Sequence, residues 1–144
     1  LETGRAFMSG VQALVKLPML QRARDALQGH NTAGFISGYR GSPLGSYDQS
    51  LHKAKQHLAR NNIVFQPGVN EELAATALRG TQQLGFAPAG AQRSDGGFGI
   101  WYVNCPGVDW CAAVFKHPYA HQADGDPRLN LIRPSGLPYA AFSK

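Results

Sequence analysis

The sequence has few cysteines and no long apolar run. Only Cys105 and Cys111 are present among 144 residues, too few for a disulfide framework or for a zinc or iron–sulfur site built from this chain alone. No apolar stretch is long enough to cross a bilayer, and no charged segment precedes a short apolar run as in a secretory signal. The simplest interpretation is a cytoplasmic protein with reduced thiols and no membrane partner.

Acidic residues are also scarce, 9 against 14 lysines and arginines, which gives a formal net charge of +5. A basic balance can indicate nucleic acid or a phosphate-bearing ligand. Here the basic residues are scattered, and the aromatic residues among them form no pattern typical of RNA binding. We therefore favour a solvated basic surface and no nucleic-acid partner. The five histidines show no metal-ligand spacing, so we predict no metal site in this chain.

What the sequence does have is enough apolar residues, 43% of the chain, for one core. Short apolar runs bounded by turn residues predict three strands, at 32–37, 63–65 and 98–103. Apolar residues at helical spacing predict helices at 9–27, 47–59 and 71–84. Pro18 is expected to divide the first of these near Leu17. The alternation of strands and helices favours an α/β fold with a parallel sheet.

Beyond His117 this pattern ends. Prolines and glycines among polar residues leave no periodic apolar face, which predicts an irregular segment. We therefore expect two parts, a folded part at 1–116 and an irregular tail at 117–144. Because the sequence begins with Leu1 and stops just after the irregular stretch, we interpret it as a fragment of a longer protein.

Two polar elements follow the first two predicted strands. Ligands of parallel sheets bind beyond the carboxyl ends of the strands, so these elements are expected to face one crevice. One is a glycine-rich turn at 38–45, and the other leads into the helix predicted from Glu71. The candidate residues are Tyr39, Arg40, Gly41, Ser42, Gly68 and Glu71.

Each element also has a purely structural interpretation. The glycine-rich turn can be an ordinary connection from strand to helix, and it lacks the spacing of a Walker loop or a dinucleotide fingerprint. Asn70 is a predicted N-cap. Glu71 and Glu72, in the first turn of the helix, can simply complement its dipole, an effect of roughly 0.3 to 1 kcal/mol. A third turn, at 105–109 after the last strand, is a weak motif. The residues alone leave these alternatives open.

Two runs are more specific, Gly-Tyr-Arg-Gly-Ser-Pro-Leu-Gly at 38–45 and Gly-Val-Asn-Glu at 68–71. Shorter runs at 10–15, 17–22, 31–35 and 80–83 accompany them. Together, from Gly4 to His117, they resemble the amino-terminal segment of indolepyruvate ferredoxin oxidoreductases. These are long, fused thiamine-diphosphate enzymes of the 2-oxo acid:ferredoxin oxidoreductase family.

The resemblance implies a pyrimidine-binding domain, incomplete here, from an enzyme that oxidatively decarboxylates indolepyruvate or another arylpyruvate to an acyl-coenzyme A. On that pattern Glu71 is the catalytic carboxylate that meets N1′ of the cofactor's aminopyrimidine. The other implied cofactor contacts are Gly41 and Gly68. The implied substrate contacts are Ser42, Tyr39 and Arg40. The implied cofactors are thiamine diphosphate with magnesium, iron–sulfur clusters and coenzyme A, and the implied partners are ferredoxin and the remaining domains of the enzyme.

The diphosphate, metal and cluster sites are not recognisable in this chain. Asp124-Gly125-Asp126 with Asn130 has too short a spacing for the family's diphosphate motif. The chain also departs from the family after Tyr102, where Cys105 precedes the Pro-Gly turn and Trp110 stands where the family has arginine. We therefore expect the chain alone to be inactive. The alternative is a non-catalytic remnant or interaction module with the same fold.

Overall fold

Parallel pairing of three strands organises the chain. The computed structural model describes residues 4–40, 46–83, 90–91, 93–103, 105–111, 114, 130–132 and 139–143. Its helices are α1 Gly10–Leu27, α2 Tyr47–Lys53, α3 Lys55–Arg60, α4 Glu71–Thr81 and α5 Cys105–Trp110. Its strands are β1 Thr32–Gly38, β2 Ile63–Phe65, β3 Gly96–Val103, β4 Asn130–Ile132 and β5 Tyr139–Ser143.

The strands form one sheet in the order β2-β1-β3-β5-β4. β1 pairs in parallel with both β2 and β3, whereas β5 runs antiparallel to β3 and to β4. The predicted α/β fold with a parallel sheet is therefore confirmed for the three strands that the sequence pattern identified. The thiamine-diphosphate type of this fold stays a prediction.

Helices cover both faces of the sheet. Alternate residues of β3 enter different clusters, Ile100 and Tyr102 one and Trp101 and Val103 the other, because successive side chains of a strand point to opposite faces. The first face carries α1, α2 and α3, and its buried cluster is Val15, Ile36, Tyr47, Leu51, Leu58, Ile63, Phe65, Phe98, Ile100 and Tyr102. The second face carries α4 and α5, and its buried cluster is Ala74, Ala75, Trp101, Val103 and Cys111.

α1 is one continuous helix, so the predicted division at Pro18 is wrong. A proline inside a helix leaves the carbonyl four residues earlier without its usual amide donor. That carbonyl belongs to Leu14, and the hydroxyl of Tyr47 donates a long hydrogen bond to it at 3.5 Å. Pro18 is itself buried. Packing against α2 thus offsets part of the lost helical hydrogen bond, which the local sequence could not reveal.

Other predictions differ as well: the helix predicted over 71–84 ends at Thr81, and the turn predicted at 105–109 lies within the helix α5. The helix predicted over 47–59 is divided at Ala54 into α2 and α3. The strands β4 and β5 lie within 117–144, where irregular structure was expected. Their runs of three and five residues are too short to give a periodic signal, and β5 gains its backbone partners from the edge of β3. The division of the chain at 116 stays a prediction.

None of the helices in the described ranges is both long enough and apolar enough to span a bilayer.

Candidate functional site

The carboxyl ends of β1, β2 and β3 lie at one edge of the sheet because these strands are parallel. From this edge the chain after β1 proceeds to α2 on the first face, whereas the chain after β2 proceeds to α4 on the second face. The segments that follow the neighbouring strands β1 and β2 therefore lead to opposite faces of the sheet. Open α/β sheets bind ligands beyond the carboxyl ends of strands at which the connections diverge in this way.

The two elements that the sequence singled out are joined at this edge. The backbone N–H of Gly68 donates to the carbonyl oxygen of Gly38 at 2.9 Å, and Tyr39 and Gly68 form an isolated parallel bridge. Tyr39 is 39% exposed, and the side chain of Arg40 is 84% exposed. The start of the glycine-rich turn and the approach to α4 thus form one continuous surface.

Gly68 is required by packing. A Cβ atom at this position would lie 2.7 Å from Cβ of Ala74 and 2.9 Å from the carbonyl oxygen of Asn70, closer than such atoms approach. The missing side chain lets the turn lie directly on the first turn of α4. This packing contact explains why residue 68 is a glycine, and no ligand is needed for the explanation. The contact of Gly68 with a cofactor therefore stays a prediction.

Glu71 begins α4 at the same edge. The predicted N-cap is confirmed, since the side chain of Asn70 accepts a hydrogen bond from the backbone N–H of Leu73 at 2.8 Å. Glu71 is half-buried and Glu72 is exposed. Beside them, Val69 is 80% and Leu73 is 54% exposed. A half-buried carboxylate and exposed apolar side chains therefore occur together around the start of α4.

Gly41 and Ser42, the remaining candidates, lie outside the described residues.

A polar cluster that sequence reasoning missed lies under the start of the turn. The rings of Tyr47 and Tyr102 meet edge to face with centroids 5.3 Å apart. Asp48 is mostly buried, and its Oδ2 lies 3.8 Å from Nε of Arg40. Among the described residues, the buried hydroxyl of Tyr102 has no hydrogen-bond partner. Arg40, expected at the substrate, thus pairs loosely with Asp48, an interaction that contributes little at such exposure.

The tyrosines of this cluster stay protonated at neutral pH. Burial, and then the charge of Asp48, raises the pKa of Tyr102 to about 12. Burial, and then Tyr102, raises the pKa of Tyr47 as well. In the sequence both tyrosines occupied ordinary apolar positions of a helix and a strand, so no local signal marked them. Only the packing of α2 on β3 brings them together.

Cys111 lies on the other side of the sheet. It is fully buried after α5. Burial, then Glu72 and then Glu71, raises the pKa of its thiol. Burial, helped by the carboxylates at the start of α4, therefore favours the unreactive protonated form of this thiol. No group of three His, Cys, Asp or Glu side chains within the described ranges is arranged to hold a metal ion.

Comparison with known proteins identified no relative of this chain. No known family matches the chain, and no curated protein and no solved structure matches it either.

Proposed function

We propose that this chain is part of the pyrimidine-binding domain of a thiamine-diphosphate-dependent 2-oxo acid:ferredoxin oxidoreductase that acts on an arylpyruvate such as indolepyruvate. The observation that carries the proposal is the half-buried Glu71 at the carboxyl edge of the sheet. It lies in the approach to α4 that the Gly68–Gly38 hydrogen bond joins to the Tyr39–Arg40 turn. The resemblance of the runs at 38–45 and 68–71 to that family supports the same assignment.

The described residues fit the pyrimidine half of such a cofactor. Glu71 would hold a proton at N1′ of the ring, and the exposed side chain of Val69 would help to cover the ring. When bound, the cofactor supplies the electron sink that decarboxylation of a 2-oxo acid requires. Tyr39 and Arg40 would border the substrate, with the cationic side chain of Arg40 available to its carboxylate.

The remaining chemistry would lie elsewhere. The proposal assigns the diphosphate and magnesium to a second domain, and it assigns the iron–sulfur clusters, coenzyme A site and ferredoxin contact to the rest of a larger enzyme. Calorimetry of this chain with thiamine diphosphate and magnesium is therefore expected to show no tight binding. Nanomolar binding by the isolated chain would contradict this division of the site.

The decisive variant is Glu71→Gln in the full-length enzyme that the proposal implies. Loss of a positioned acid–base group lowers the rate by on the order of 10²- to 10⁴-fold, so oxidation of arylpyruvate should fall by that amount. Glu72→Gln is the matched control, because Glu72 is adjacent, has the same chemistry and is exposed. Turnover that is unchanged in Glu71→Gln, or equally reduced in both variants, would remove the role assigned to Glu71.

A second candidate function is a non-catalytic interaction module with the same fold. The observation in its favour is Trp110, which is 71% exposed at the end of α5, where the family has arginine. An exposed tryptophan is typical of contact surfaces between proteins. Full-length protein that binds no thiamine diphosphate in the presence of magnesium would favour this candidate.

A further inference from the structure

α1 is apolar on both of its sides. Its inner side, with Val11, Leu14, Val15 and Met19, packs into the first-face cluster. On its outer side Leu20 is 51% and Leu27 is 90% exposed. The exposed residues from Gln12 to Leu27 are Gln12, Ala13, Leu17, Leu20, Ala23, Arg24, Ala26 and Leu27. Only two of these eight are polar. Several large apolar side chains exposed close together on one surface often mark a contact with another molecule.

The spacing on the outer side fits a second helix. Ala13, Leu20 and Leu27 recur every seven residues and so lie in one line along the helix, with Leu17 and Ala23 beside that line. We call these five residues the outer stripe. The stripe combines three leucines with two alanines, which offers projecting side chains and gaps for ridges-into-grooves packing. The 18 residues of α1 give a contact line of about 27 Å.

The charges of α1 restrict what can cover the stripe. Lys16 and Arg24 flank its central line on opposite sides, and Lys16 is half-exposed and Arg24 exposed. The only acidic residue of α1, Asp25, is buried, and its carboxylate accepts hydrogen bonds from Gln21 Nε2 at 2.7 Å and Thr32 Oγ1 at 2.6 Å. No acidic side chain of α1 is thus free to pair with a cation.

A second copy of this chain is therefore a poor occupant. Two α1 helices packed together would bring Lys16 and Arg24 of one copy against those of the other without compensating acids. The net charge of +5 on each copy adds to the repulsion, and like charges juxtaposed in an interface disfavour association. Acidic residues beside an apolar stripe would instead complement both the stripe and its cationic flanks.

We propose that the outer stripe of α1 is the docking surface for an amphipathic helix of another protein, with an apolar stripe flanked by Asp or Glu residues. Burial of the stripe's leucines provides the affinity. The positive charges of Lys16 and Arg24 favour a partner helix with acidic residues beside its apolar side chains. This surface is formed by α1 alone and does not depend on the function proposed for the carboxyl edge.

The test uses a fluorescently labelled peptide of about three heptads, long enough to follow α1, with leucines at the a and d positions and Glu at e and g. A second peptide has Lys at e and g. Anisotropy titrations should show binding of the acidic peptide about tenfold or more tighter than that of the basic one at low salt, with the difference shrinking as salt screens the flanking charges.

Two variants locate the contact. Leu20→Gln combined with Leu27→Gln keeps the helix propensity of α1 while removing apolar surface, and it should weaken binding of the acidic peptide by at least about tenfold. Leu73→Gln is the matched control, because Leu73 is similarly exposed on α4, and it should leave binding unchanged. Circular dichroism and thermal melts verify that each variant folds.

Four results would overturn the proposal. The first is no binding of the acidic peptide by the folded protein. The second is equal binding of the acidic and basic peptides. The third is equal loss of binding in the Leu73→Gln control. The fourth is a concentration-dependent dimer in sedimentation experiments that the double variant abolishes, which would assign the stripe to a second copy of the chain.

Discussion

The two faces of the sheet are built from side chains of very different size. The first face buries Tyr47, Tyr102, Phe65 and Phe98 among aliphatic residues, and three helices cover it. Among the described residues, the buried cluster of the second face consists of Ala74, Ala75, Val103 and Cys111 around Trp101, its largest side chain.

This difference shows two ways of filling a core. On the first face, bulky side chains fill the space between sheet and helices. On the second, small residues let α4 approach the sheet, and a Cβ atom added at Gly99 of β3 would collide with Leu78 of α4. The start of α4, with Glu71, lies at the carboxyl edge because α4 follows β2. The candidate carboxylate is thus carried by the helix that packs on the sheet through small side chains.

Removing bulk from the first face should have the largest effect. Leu51 is fully buried there, so Leu51→Ala leaves a cavity and should reduce the free energy of unfolding by about 2 to 5 kcal/mol. Leu73→Ala makes the same change at an exposed position and should cost less than about 0.5 kcal/mol. Urea denaturation of both variants measures the contrast. Similar losses in the two variants would refute the assignment of Leu51 to the core.

Adding bulk to the second face should have the next largest effect. Ala74 is fully buried against the sheet, so Ala74→Val overfills a tight contact and should cost about 1 to 3 kcal/mol. Ala77→Val, at an exposed position of the same helix, carries only the lower helix propensity of valine, within about 0.7 kcal/mol. Equal thermal stability of the two variants would show that α4 does not approach the sheet closely.

The cap that fixes the start of α4 should contribute less. Asn70→Ala removes the acceptor for the N–H of Leu73 and should cost about 1 kcal/mol. Asn70→Asp keeps an acceptor at the same place and should retain nearly full stability. The comparison is made by chemical denaturation at neutral pH, and an alanine variant as stable as the aspartate variant would contradict the cap.

The smallest effect is expected from Tyr102→Phe, the polar exception on the first face. Its buried hydroxyl has no partner among the described residues, so replacement should be neutral or stabilising by less than about 1 kcal/mol. A clear loss of stability near pH 7 would show that the hydroxyl is bonded.

The same variant has a pH signature. Unfolded protein releases the tyrosine proton near the ordinary pKa of 10.0, whereas in the folded state that pKa is about 12. Ionisation therefore favours unfolding progressively between these values. The contribution of neutral Tyr102 to the free energy of unfolding is intact below pH 10 and is lost as the pH rises towards 12. Tyr102→Phe should therefore flatten this part of a plot of the free energy of unfolding against pH.

Sequence patterns predicted the structural features that depend on residues close together in the chain. The strand 63–65, the core of β1 and β3, and the N-cap Asn70 were all correct because each reflects local apolar runs or a local hydrogen bond. The continuity of α1 through Pro18 and the Tyr47–Tyr102 contact depend on packing between distant segments. The pairing of β5 with β3 likewise joins residues far apart in the chain.

Of the candidate site, the juxtaposition of Tyr39 with Gly68 was foreseeable, since carboxyl ends of parallel strands meet at one edge. The approach of Arg40 to Asp48 was not.

The hydrogen bond from the Gly68 amide to Gly38 has a practical consequence. It extends the β1–β2 pairing past the named strands and joins the backbone at the start of the glycine-rich turn to the approach to α4. Deuterium uptake at this one amide therefore reports the opening of both loops at once. A ligand that clamps them would slow its exchange even if it touched neither residue.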